Sequence, residues 1–218
     1  MSSLHHYFLL EKENEKNNIS LMDKKEELRK IKKEVEDLEL SPLYGFRKKN
    51  NYKPVIGEGN LNARIMFIGE APGESEAKIG KPFVGRSGKV LDHLLNIAGL
   101  KREEVYITSV LKDRPPDNRS PKSDEIRLYL PFLVRQIEMI KPGIIVILGA
   151  VALKTLFGVL NLLGKPKTMA KIHGKCFYSD SEFGKIKIFT SYHPAAVLHQ
   201  SKLENVLEED FKELRKII

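Results

Sequence analysis

Apolar positions along this chain follow two periods. Between about residues 22 and 38, Leu28, Ile31, Val35 and Leu38 recur at helical spacing among Lys and Glu, which predicts one amphipathic helix. Four short apolar runs follow at Arg64–Ile68, Val105–Ser109, Ile144–Leu148 and Ile186–Thr190, and each reads as a strand. The first ends at Gly69, the third at Gly149, and the fourth runs into Ser191-Tyr192-His193-Pro194. Helical spacing returns between them. Ser87–Ala98 places Val90, Leu91, Leu94, Leu95 and Ala98 on one face, and Ser123 is placed to cap a helix reaching about Ile140. A helix follows Gly149, and a last one spans about Leu203–Ile217.

Strands that alternate with helices pair in parallel and carry helices on both sheet faces. The expected fold is α/β: a three-layer α/β/α sandwich around a short four-stranded parallel sheet. Residues 1–40 form a charged N-terminal helical extension, and residues 41–218 form the main domain. Ligands of such sheets bind beyond the carboxyl ends of the strands. The segments richest in Gly, Pro and polar residues follow the first, second and fourth strands, so chemistry is expected at that edge.

Composition narrows the function. The chain has 218 residues, 41% of them apolar, which suits one α/β domain with an extension and excludes a wholly disordered chain. The single cysteine excludes an internal disulfide and any cysteine-rich metal site built within the chain. No apolar run is long enough for a membrane span, and the N-terminus lacks a signal-peptide core. His5 and His6 read as solvated rather than as metal ligands. The chain is expected to be cytoplasmic, with no membrane association. Its formal net charge is +8. Residues 1–40 hold 8 basic and 10 acidic side chains, so residues 41–218 carry a net +10. That balance favours a polyanion such as nucleic acid.

Two segments carry candidate chemistry. Gly69-Glu70-Ala71-Pro72-Gly73 leads on to Gly80-Lys81-Pro82-Phe83-Val84-Gly85-Arg86-Ser87-Gly88. Here a carboxylate follows a buried strand, glycines permit close approach of a ligand, and Phe83 either stacks on a planar ring or plugs the core. No Walker pattern is present. The second segment is Ser191-Tyr192-His193-Pro194-Ala195-Ala196-Val197-Leu198-His199. A histidine fixed by a following proline stands at the ligand edge, ahead of an apolar pair that is either core or an exposed wedge.

With Arg114-Pro115-Pro116-Asp117-Asn118-Arg119 between them and Gly57-Glu58-Gly59-Asn60 ahead, these motifs resemble the uracil-DNA glycosylase superfamily, family 4 above all. The resemblance spans about residues 41–218. It implies hydrolysis of the bond between a damaged base and deoxyribose, on a nucleotide flipped from the stack. The partner is then DNA containing uracil, and the expected state is a nucleoid-associated monomer. By resemblance, Phe83 stacks on uracil, and the backbone of Gly69, Ala71 and Gly73 touches its edge. His193 donates to the base oxygen where charge develops, Glu70 positions or activates water, and Asn118 assists. Pro194, Val197 and Leu198 belong to the loop that enters the duplex. Arg86, Ser87, Lys112, Arg114 and Arg119 are candidates for phosphate contact.

The chain departs from the family pattern twice. Family 4 members usually hold an iron–sulfur cluster on four cysteines, whose positions fall here on Leu38, Ser41, Asp113 and Tyr129. Cys176 lies elsewhere, so no cluster and no metal are expected. The family's base-reading asparagine falls on Ser109, whose hydroxyl satisfies only part of a uracil edge. Two alternatives therefore stay open: a damage-binding protein with little or no catalysis, and a glycosylase of altered base range. A covalent uracil-DNA trap is disfavoured, because residues 114–121 contain no histidine.

Overall fold

The computed structural model describes residues 20–160, 168–181 and 184–218. His5, His6 and the first half of the expected extension lie outside them. The chain opens with α1 (Leu21–Glu36), started by a reciprocal cap in which Asp23 N–H donates to Ser20 Oγ and Ser20 N–H to Asp23 Oδ2. Helix α2 (Tyr44–Lys49) follows. Then come β1 (Glu58–Gly59), β2 (Ile65–Gly69), α3 (Glu74–Ile79), α4 (Arg86–Ile97), β3 (Tyr106–Ser109), α5 (Ser123–Ile140) and β4 (Ile144–Leu148). The chain ends with α6 (Ala150–Val159), α7 (Met169–Ile172), β5 (Lys175–Ser181), β6 (Gly184–Ser191) and α8 (Leu203–Arg215).

The strands form one sheet in the order β1-β3-β2-β4-β6-β5. Its inner four are the four expected strands, and they are parallel. The sheet is nevertheless six-stranded and mixed, because β1 and β5 add antiparallel edges. Neither edge announces itself in the sequence. The first has only two residues, and the second reads Lys-Cys-Phe-Tyr-Ser-Asp-Ser, without a clear apolar alternation.

The inner strands are apolar throughout yet still alternate between two cores. Met66, Ile68, Ile145 and Ile147 face a cluster completed by Leu133 and Ile137 of α5 and by Ile31 and Val35 of α1. Phe67, Ile107, Val146 and Leu148 face the other, completed by Leu91 and Leu94 of α4 and by Leu207 and Phe211 of α8. The period of two thus survives inside uniformly apolar strands and yields three layers. Helix α1 shares the first core with α5 rather than standing apart from it. Among the described residues no helix is long and apolar enough to cross a membrane.

Candidate active site

The carboxyl ends of β2, β3 and β6 bring the motifs together. Gly69 pairs in register with Ser109, and Gly149 N–H donates to Ser191 O at 2.9 Å, tying the β4 and β6 ends. Gly69 is a position where a side chain has no room. A Cβ there would lie 2.9 Å from Phe83 Cζ and 3.4 Å from His193 Nε2, so three elements meet at one point. Gly149, at φ 92°, gives the same clearance to the backbone side of His193.

Phe83 adopts φ 49°, unusual for an aromatic residue. Its ring is 6% exposed and packs in the second core while lying over His193, with centroids 5.4 Å apart and planes 28° from parallel. That is contact distance, so no ring fits between them. The loop conformation has a specific cause. Buried Glu76 accepts from the backbone N–H of Val84 at 2.9 Å and of Gly85 at 2.8 Å, which ties the Phe83 loop to α3. Arg102 donates to Pro82 O and pairs with Asp92, bracing the other end. Sequence reasoning missed both residues. The signal available was a Glu three positions after Gly73, at the start of α3.

His193 begins a short 3-10 turn, Pro194–Leu198, and the Ala195 N–H donates to its Nδ1 at 3.1 Å. Nδ1 is therefore the acceptor nitrogen, and the ring proton resides on Nε2, which faces Gly69. Burial pushes the imidazole down to about 4, with nearby Glu76 opposing weakly. At neutral pH this side chain is an uncharged hydrogen-bond donor. The turn is anchored by Asp210 of α8, which accepts from Ser191 Oγ at 2.7 Å and pairs with His173 Nδ1 at 2.8 Å; the His173 ring contacts Tyr192.

Glu70 is half-buried, and its Leu111 neighbour donates a backbone N–H to Glu70 O at 3.1 Å. Burial raises the Glu70 carboxyl above its ordinary range, against a hydrogen bond from Ser120. Asn118 is exposed, in left-handed backbone at φ 52°, and its Oδ1 accepts from Arg114 Nε at 2.8 Å. Arg114 also donates to Tyr52 Oη and is largely covered, while Arg119 is clamped by Glu125 at 2.9 Å.

One expectation is corrected outright. Lys112 does not reach the surface, so it is not a phosphate contact. Its ammonium donates to Thr108 Oγ1 at 2.7 Å, Ser109 O at 2.8 Å and Gln136 Oε1 at 2.6 Å, and burial lowers its pKa well below the ordinary value. A lysine four residues after a buried threonine folds back beneath the strand end, directly behind Ser109.

The remaining positions line the rim. Arg86 is exposed and Ser87 half-buried in the first turn of α4, next to Gly85. Pro194 is buried. The Val197–Leu198 pair divides: Val197 packs on the second core, whereas Leu198 is 39% exposed.

The positions that the resemblance gives to cluster ligands also draw together. Ser41 Oγ and Tyr129 Oη lie 2.9 Å apart, and Tyr129 Oη donates to Asp113 Oδ2 at 2.7 Å. Arg47 Nε reaches the same oxygen at 3.0 Å, and its Nη2 donates to Val35 O and Glu36 O at the end of α1. Leu38 packs against the adjoining core. Burial pushes the Asp113 carboxyl up, and the hydrogen bond from Tyr129 and the charge of Arg47 pull it back. Asp113 Oδ1 is the one buried side-chain oxygen or nitrogen without a partner among the described residues. Hydroxyl, phenol and one carboxylate are not a donor set for an iron–sulfur cluster, because none is a thiolate and Leu38 offers no donor atom. The lone thiol, Cys176, is on β5 at the opposite sheet edge.

Comparison with known proteins agrees with this arrangement. The sequence model of the Uracil DNA glycosylase superfamily matches residues 56–215. A type-4 uracil-DNA glycosylase of Saccharolobus solfataricus is 47% identical over 190 residues, covering 86% of this chain and 85% of that one. One from Sulfurisphaera tokodaii is 44% identical, covering 87% and 84%. One from Archaeoglobus fulgidus is 44% identical, covering 78% and 83%. With the family's motifs gathered at one sheet edge and relatives this similar over most of its length, the chain belongs to the uracil-DNA glycosylase superfamily.

Proposed function

We propose that this protein hydrolyses the N-glycosidic bond of uracil in DNA and leaves an abasic site, a reading supported by relatives named uracil-DNA glycosylases. The observation that carries the reading is the Nε2–H of a neutral His193, brought against Gly69 and Phe83 where the family's motifs meet at the sheet edge. The flipped base lies against Phe83, with its edge toward Gly69, Ala71, Gly73 and Ser109. As the bond breaks, its electron pair goes to the base. His193 meets the charge on the base oxygen with a donor already in place. The sugar carbon becomes positive and takes a water oxygen, and Glu70 faces both. Its raised pKa makes it a better proton acceptor than a solvated carboxylate, and its charge favours the cationic sugar. Asn118, held by Arg114, stands at the same rim. Arg86 and Ser87 take phosphate at the start of α4, and Leu198 fills the space that the base vacates. No iron–sulfur cluster takes part, because the residues at its positions do not suit one.

Ser109→Asn tests base reading. An amide offers both donor and acceptor to a uracil edge, and one well-aligned bond made in the transition state contributes roughly 1–3 kcal/mol, about ten- to a hundredfold in rate. Faster single-turnover uracil release is expected. A slower variant would mean that serine is fitted to another base, and hypoxanthine and xanthine substrates would then be tested first.

The pH profile separates the two catalytic groups. His193 is neutral above about pH 4, so it gives no limb between pH 5 and 8. Glu70 must be ionised to accept a proton, so activity falls as pH drops through its raised pKa. Glu70→Gln should lower the rate and abolish that acid limb. A limb that persists in the variant would assign it elsewhere.

A further inference from the structure

We propose that α1 and the segment around Lys53 form a second DNA contact, a groove that takes the phosphodiester backbone of the strand leaving the active site. The inference rests on the uracil-DNA reading and extends it to a surface that reaches from two of the family motifs onto α1, which carries none of them.

The argument starts from how α1 sorts its charges. Residues 21–36 are almost balanced in sequence, and the N-terminal forty residues are slightly acidic. Folding separates the signs around the helix. Lys24, Ile31 and Val35 turn inward, with Lys24 Nζ spent on Leu61 O and Asn62 Oδ1. Glu27 and Glu34 turn toward α5, where Arg135 holds both, at 2.7 Å and 2.5 Å. Lys25, Arg29 and Lys32 follow each other by four and three residues and so share the third face. That face borders a groove of about 690 Å³ whose other walls carry Lys53 and Lys81. Its lining holds five cations against two carboxylates, Glu36 and Glu58. Glu58 is already taken by Lys81 at 2.6 Å, Arg29 lies 3.3 Å from Glu26 and Lys32 3.8 Å from Glu36 in exposed pairs that a phosphate can displace, and Lys25 and Lys53 form no ion pair with a described residue. A net positive groove remains, on a helix two of whose carboxylates, Glu27 and Glu34, have been drawn to its other side.

Three further features point to DNA as the occupant. The groove ends at Gly80 and Lys81, two residues before Phe83, so its mouth lies within roughly 7 Å of backbone from the ring that receives the base. A strand whose nucleotide sits on Phe83 must leave the site within one or two phosphates. The row from Lys25 to Lys32 spans roughly 10 Å along the helix, and strand phosphates advance about 3.4 Å each, so the row matches about three of them. Leu28, Pro54 and Ile56 supply an apolar floor for sugars and bases.

The test uses the triple variant Lys25→Gln, Arg29→Gln, Lys32→Gln. Glutamine keeps helix propensity, and all three side chains are exposed, so the fold is retained and thermal melting checks it. Wild-type and variant proteins are titrated with single-stranded oligonucleotides carrying either three or twelve nucleotides on each side of one uracil. The same lengths without uracil form a second arm. The expected result is about tenfold weaker binding of the long oligonucleotides and a log–log salt slope shallower by roughly 2, from the loss of about three phosphate contacts. The advantage of long over short should shrink. Lys53→Gln, on the opposite wall, should move the slope the same way by a smaller amount. Lys212→Gln with Lys216→Gln, on and just after the far helix α8, should leave it unmoved. An unchanged slope and length advantage in the triple variant overturns the groove. The arm without uracil keeps the two readings apart, because it reports the groove even if no uracil is released.

Discussion

His193→Ala is expected to lower single-turnover uracil release about 100- to 1000-fold, with little change in substrate binding. The size follows from the role proposed for the side chain. A neutral imidazole donates one hydrogen bond, and that bond gains strength only as charge reaches the base oxygen; removing such a donor typically costs two to three orders of magnitude. Substrate and product bind without that charge, so the loss falls on the chemical step. His193→Gln separates donation from bulk, since its amide can still donate to the oxygen and should recover part of the rate. The tautomer adds a second check. Ala195 N–H at 3.1 Å from Nδ1 leaves the proton on Nε2, and burial holds the ring neutral to about pH 4. Imidazole nitrogen shifts should therefore show one protonated nitrogen across pH 5 to 8. A doubly protonated ring at pH 6 would remove the neutral-donor mechanism. A silent His193→Ala would move the site away from the β6 end altogether.

Sequence alone made the inner sheet and the site edge legible, for a physical reason. Buried parallel strands are short uninterrupted apolar runs, and the glycines that end them also mark where a ligand approaches. Gly69 does both, whereas Gly149 reads only as the end of its strand. Edge strands carry little of that signal, so Glu58–Gly59 and Lys175–Ser181 stayed hidden. Supporting residues were hidden too, since their partners are backbone groups far along the chain. Glu76 reads as an ordinary helix glutamate until its bonds to Val84 and Gly85 are seen. Lys112 misled in the opposite sense. A lysine beside an Arg-Pro-Pro loop looks like a phosphate ligand, but three acceptors behind Ser109 draw it inward. A charge count by segment likewise says nothing of how α1 distributes its signs around the helix, with Glu27 and Glu34 on Arg135 and Lys25, Arg29 and Lys32 on another face.

Arg47→Met is expected to destabilise the fold by about 3–5 kcal/mol, the range for breaking one side of a buried ion pair. Asp113 lies at the centre of this clamp, wholly buried, with Arg47 and Tyr129 on one oxygen and nothing on the other. Removing the guanidinium leaves the carboxylate without its cation and also frees Val35 O and Glu36 O, which fix the end of α1. The sign of the pH effect follows. Without Arg47, the folded-state pKa of Asp113 rises further above its unfolded value. The penalty is therefore full above that raised pKa and shrinks as pH falls and the carboxyl takes up a proton. Urea unfolding at neutral and acidic pH should show the gap to wild type narrowing on acidification. Arg47→Met combined with Asp113→Asn should recover much of the loss, since an amide needs no cation and its oxygen still accepts from Tyr129. Non-recovery would mean that packing of the arginine stem, not the ion pair, holds the segment. The same clamp bears on metal. If a guanidinium–carboxylate pair fastens α1 and α2 to the loop after β3, chelators should leave wild-type melting unchanged and the purified protein should contain no stoichiometric iron. Iron bound in stoichiometric amount, or melting lowered by chelation, would overturn the clamp as the fastening and require ligands other than the residues gathered around Asp113.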